Sequence, residues 1–157
     1  MSNDARADQI ARYREGPGVL EQALAGITAE ELDRRPAPDQ WSPREVVHHT
    51  ADSEIMAAIR LRRLLAEESP VIHGYDEMEF SRRLHYGDRP VEPSLAAVRA
   101  ARATSADILD RLTESDWARA GTHSESGSYS VGDWLRIYAA HCHDHADQIR
   151  RARAGQT

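Results

Sequence analysis

Apolar residues recur along this chain at the three- and four-residue spacing of a helix face, and no segment alternates apolar and polar positions long enough to read as a strand. The pattern predicts four long helices. The first covers residues 4–24, with Ile10, Tyr13, Leu20 and Leu24 on one stripe. Gly16, Pro17 and Gly18 are expected to kink or divide it. Thr28 and Glu31 form a capping box for a short turn ahead of the loop holding Pro36 and Pro38. The second long helix, residues 43–68, has a stronger start: Ser42 as N-cap, Pro43 at the first helical position, and Glu45 placed to reach back. The third covers residues 94–112 and is rich in Ala and Leu. The fourth covers residues 130–154 and opens with Ser130 and Asp133.

The connections constrain topology. The second helix would be roughly 37 Å long. Residues 69–93 are numerous enough to travel back along it, so the second and third helices are expected to run parallel, with one crossover. That connection also holds His73, Tyr75, Asp76, Glu77, Arg82, Arg83, His85 and Tyr86, a set able to cover one end of a bundle; a solvated link with a short helix over residues 77–84 is the alternative. The expected architecture is an all-α four-helix bundle forming a single domain over residues 1–157.

Composition narrows the functional classes. All of the 20 basic residues are Arg, and the net charge is −6, which argues against nucleic acid or an anionic membrane as partner. The absence of a long apolar run and of a basic-then-apolar leader points to a cytoplasmic protein. A single cysteine, Cys142, offers neither an internal disulfide nor a CxxC motif. Apolar outer stripes on such bundles often pair, so a homodimer is expected.

The chemistry concentrates in histidine. His141 and His145 are four residues apart in a stretch without Gly or Pro, so both imidazoles leave one helix face, a geometry that can hold a metal ion. Two ligands are too few, and His48 and His49 on the second helix are equipped to supply a third. Periodicity groups His48 with Asp52, Ile55 and Ile59 and groups His49 with Val46, Ser53, Met56 and Arg60; on this basis alone His48 is slightly the more buried candidate.

The stretch from Trp41 to Glu54, the run Gly74, Tyr75, Asp76, Glu77, and His141 with His145 near the C-terminus together resemble the DinB/YfiT-like family of metal-binding four-helix bundles. The resemblance covers nearly the whole chain. It implies a divalent metal, zinc or nickel, held by one histidine of the second helix and two of the last, which fall on His49, His141 and His145. It decides for His49 because the family's ligand directly precedes the step matching Thr50 and Ala51. It implies enzymes that transfer a low-molecular-weight thiol to an electrophilic small molecule, with hydrolysis as the alternative. A non-catalytic metal-binding stress protein is a third reading.

Three neutral imidazoles leave coordination positions open, as at a catalytic site. Asp52, Asp144 and Glu45 are the carboxylates nearest in sequence to orient the ligands. Tyr75 or Arg82 is expected to orient substrate. His143 should point away from the metal, Cys142 should serve as a small buried apolar residue, Trp41, Trp134 and Tyr138 should be core aromatics, and His123 should be exposed.

Overall fold

A computed structural model of the chain describes residues 3–157. Four long helices form the bundle: α1 (Asn3–Leu24), α3 (Pro43–Ala66), α5 (Glu92–Leu109) and α7 (Val131–Arg153). The connections hold short helices α2 (Ala29–Asp33), α4 (Glu77–Arg83) and α6 (Glu114–Trp117), and strands β1 (Val71–Ile72), β2 (Ala120–His123) and β3 (Gly127–Ser130). The capping residues start the helices as the sequence implies. Ser42 accepts from the Glu45 amide at 3.3 Å while Glu45 accepts from the Ser42 amide at 2.9 Å, and Ser130 and Asp133 repeat the arrangement at the head of α7. No helix among the described residues is long and apolar enough to cross a membrane.

Side-chain contacts fix the helix directions. His48 meets Ser94, Glu54 meets Arg102 and Arg62 meets Ser105, so α3 and α5 run parallel, as the long intervening connection predicts. Glu54 with His141 and Ala57 with Trp134 descend as α7 ascends, which makes α3 and α7 antiparallel. His143 meets Arg12 and Arg153 meets Ala23, so α1 and α7 are parallel.

Helix α1 is continuous through Pro17 and is not divided there. Pro17 has no N–H, which frees the carbonyl of Tyr13 one turn earlier. That carbonyl instead accepts a hydrogen bond from the buried Arg102 guanidinium of α5. Gly16 makes the approach sterically possible: a Cβ there would collide with Arg102 and lie 2.9 Å from the Cys142 Cβ.

The core is divided. One apolar cluster contains Tyr13, Ala57, Leu61, Leu64, Trp134 and Leu135, and a second contains Leu20, Val46, Val47, Ala51, Val98 and Ile149. Along each long helix, Gly16, Glu54, Arg102 and His141 fall at or near the changeover between the clusters.

The small sheet lies outside the all-α expectation. β1 pairs in parallel with β2, placing Ile72 opposite His123, and β2 pairs antiparallel with β3. Strands of two to four residues are too short to show a period of two, and their order depends on pairing across 50 residues of sequence. Gly121 lies so close to the Pro70 carbonyl that no Cβ fits there.

Candidate metal centre

The second turn of α3 carries His49 into contact with the two histidines of α7. Its ring centroid lies 4.8 Å from that of His145 and 5.9 Å from that of His141, and nitrogen atoms of the three rings lie within 4.8 Å of one another. The hydrogen bonds of the α7 pair define which nitrogens are available. His141 Nδ1 lies 2.8 Å from Glu54 Oε1, and a carboxylate only accepts, so Nδ1 carries the proton. His145 Nδ1 donates to the Gln148 side-chain oxygen at 2.8 Å. In the neutral rings both Nε2 atoms are therefore bare, and they face each other at 3.2 Å. Two nitrogens bound tetrahedrally to one ion at 2.0–2.1 Å stand roughly 3.3 Å apart. The donor set thus fits a divalent cation with affinity for imidazole. His49 leaves Nδ1 buried without a partner, which a metal bound through that nitrogen would satisfy.

Two of the rings, those of His49 and His145, are also held neutral. Burial, followed by the proximity of the other two histidines, takes His49 down to about 3; burial and then His141 take His145 down to about 4. Neutral imidazole is the metal-binding form.

His48 is fully buried but belongs elsewhere. Its Nδ1 meets Ser94 Oγ at 2.8 Å, its Nε2 meets the Arg89 carbonyl at 3.1 Å, and Tyr86 packs on its ring. The helical grouping that favoured it used Ile55 and Ile59 as inward residues, yet these are 42% and 49% exposed. His48 is covered by α5 and residues 86–89, which α3 alone does not reveal.

The carboxylate that orients a histidine is Glu54, rather than Asp52, Asp144 or Glu45. Asp52 accepts from the Tyr86 hydroxyl at 2.5 Å, and Glu45 caps α3 and pairs with Arg35. Asp144 is exposed. Glu54 is 1% exposed and receives Arg102 Nη2 at 2.7 Å, His141 at 2.8 Å and the Cys142 thiol at 3.7 Å, all on Oε1. Burial by itself would raise its pKa, but the adjacent Arg102 and the bond with His141 bring it below the ordinary carboxylate value. A sequence signal existed: Glu54 shares a face with the apolar Ala57 and Leu61, and Arg102 stands one turn from Val98.

Beside His141 lies a cavity of about 210 Å³, lined by Ser53, Arg60, Tyr75, Glu77 and Tyr138 among others. Arg60 donates to the Tyr138 hydroxyl at 3.1 Å and to the His73 carbonyl at 2.7 Å. Its Nε and the Tyr75 hydroxyl are buried without partners. Burial raises Glu77 above the usual carboxylate range and pushes Tyr75 up to about 12. Tyr75 thus reaches the site, whereas Arg82 pairs with Glu79 and lines a separate cleft of about 600 Å³. That cleft meets the histidines through Trp41, whose ring stacks on His49 at 4.7 Å. His123 is not exposed as expected; strand pairing leaves it half-buried in the cavity wall. Tyr138 is both a core aromatic and part of that wall. His143 faces α1 and donates to the Arg12 carbonyl, as its position around α7 implies.

Residues 12–149 match the DinB superfamily. The chain belongs to that superfamily. A relative from Oceanobacillus iheyensis, provisionally named a metal-dependent hydrolase, is 37% identical over 133 residues, covering 85% of this chain and 77% of its own. YfiT of Bacillus subtilis, also provisionally named a metal-dependent hydrolase, is 29% identical over 150 residues, covering 95% and 84%. The solved structure of YfiT, described as a probable metal-dependent hydrolase with an unusual four-helix bundle topology, superposes with a TM-score of 0.91 over 100% of this chain and 91% of that one.

Proposed function

We propose that this DinB-superfamily protein is an enzyme in which His49, His141 and His145 hold a divalent metal, zinc or nickel, and that it joins a low-molecular-weight thiol to an electrophilic small molecule. The observation that carries the reading is the pair of bare Nε2 atoms 3.2 Å apart, with His141 also lining a cavity. A divalent cation there supplies Lewis acidity, which favours deprotonation of a thiol or water beside it.

The chain's own residues supply the remainder. Glu77, raised by burial and sharing the cavity with His141, is the proton acceptor for the incoming nucleophile. As the sulfur–carbon bond forms and the leaving group departs, the thiol proton passes to Glu77. Arg60, held from two sides, and Tyr75 both line the cavity and are the side chains placed to donate to a substrate oxygen. Cys142 is not the nucleophile. Its thiol is buried, raised by that burial, and donates to Glu54.

Hydrolysis, with water in place of the thiol, is the second reading; the names of the relatives favour it. The deciding experiment assays a model electrophile with several thiols and with none. Turnover that requires one thiol supports transfer, and equal turnover without thiol supports hydrolysis. Cobalt-substituted protein provides a direct check: a titrated thiol should produce a sulfur-to-metal charge-transfer band that survives Cys142→Ser.

A further inference from the structure

Two helices that contribute no histidine to the centre converge on it from behind. Arg102 of α5 is 1% exposed and its guanidinium donates to three acceptors on three helices: the Tyr13 carbonyl of α1, Glu54 of α3 and the Tyr138 carbonyl of α7. The first acceptor is available because Pro17 supplies no N–H, and the guanidinium fits because Gly16 has no Cβ. Glu54, anchored in this way, turns Oε1 to His141 Nδ1.

We infer that Arg102 and Glu54 are positioning residues for the metal centre, seated by Gly16 and Pro17, and that they fix His141 in the tautomer that leaves Nε2 bare. The inference rests on the metal-binding reading above. Stability is a poor account of the pair, because Glu54 Oε2 and Arg102 Nε are buried without partners. A buried ion pair with unsatisfied atoms is commonly replaceable by apolar side chains without loss of stability. What an apolar replacement cannot do is accept a proton from imidazole. A carboxylate behind a ligating histidine fixes ring orientation and raises its basicity, and its loss weakens metal binding roughly 10–100-fold. The same Oε1 also receives the Cys142 thiol, so the unit occupies that sulfur too.

The test uses the metal-free full chain and zinc alone, titrated against a chromophoric chelator. The double substitution Glu54→Leu with Arg102→Met removes both charges and the acceptor behind His141 together. Its metal-free form should stay folded, with a melting temperature lowered by the unpaired Tyr13 and Tyr138 carbonyls, while zinc affinity falls roughly 10–100-fold. A folded double variant with wild-type zinc affinity would overturn the inference. A second measurement needs no variant: long-range proton–nitrogen NMR on wild-type protein should find the His141 proton on Nδ1, with and without zinc. A proton on Nε2 in the metal-free protein would overturn it as well. Wild-type protein that takes up no zinc would defeat the metal reading itself, while the tautomer measurement still judges the positioning role.

Discussion

The Arg102 guanidinium donates to the Tyr13 carbonyl, the carbonyl that Pro17 leaves without its helical partner. Arg102→Met should therefore expose two deficits in the metal-free protein. It strips Glu54 of its buried counter-charge, a loss of about 3–5 kcal/mol, and it leaves the Tyr13 carbonyl unpaired. Adding Pro17→Ala returns an in-helix donor and should recover about 1 kcal/mol of the loss. Denaturant titration of the two single variants and the double measures the coupling. Strict additivity would mean that the two residues do not share that carbonyl.

Gly16 and Gly18 lie two residues apart on α1 and should respond oppositely to alanine. A Cβ at Gly16 collides with Arg102 and crowds Cys142, whereas one at Gly18 meets nothing within 4 Å. Gly16→Ala is expected to cost about 1–3 kcal/mol through overpacking. Gly18→Ala should stabilise by up to about 1 kcal/mol, because alanine is the better helix former. Chemical denaturation of the pair gives both signs, and equal effects would contradict the close approach of Arg102 to Gly16.

Loss of one imidazole should empty the centre without unfolding the bundle. His49→Ala, His141→Ala and His145→Ala are each expected to lower metal content sharply at near-native helicity. His48→Ala should retain metal but lose stability, because Ser94 and the Arg89 carbonyl lose their buried partner. Elemental analysis with circular dichroism separates these outcomes. Stoichiometric metal in His49→Ala would return the third position to His48.

Acid should destabilise the metal-free protein before ordinary carboxylates titrate. His49 and His145 have folded values of about 3 and 4, while the unfolded chain takes up protons near 6.5. Between those limits the unfolded state binds more protons, so stability is full above about pH 7 and falls as pH drops towards 4. Zinc-loaded protein should fall more steeply across the same range, because protons also compete with the metal for three imidazoles. Superimposable melting profiles for the loaded and stripped protein would break this link.

Helix starts were legible in the sequence because a cap is a local hydrogen-bond exchange: Ser42 with Glu45 and Ser130 with Asp133 are only three residues apart. The parallel course of α3 and α5 was legible from the length of the connection, and the shared face of His141 and His145 from the pitch of a helix. Helical pitch alone slightly favoured His48 over His49. Resemblance indicated His49, and the structure shows the physical difference: α7 faces one ring and α5 with residues 86–89 faces the other. Only tertiary structure decided that Gly16 and Pro17 leave α1 unbroken, that His123 turns into a cavity, and that Glu54 rather than a sequence neighbour supports His141. Each depends on groups brought together from distant parts of the chain, and a single helix carries no record of which side chain the next one will present.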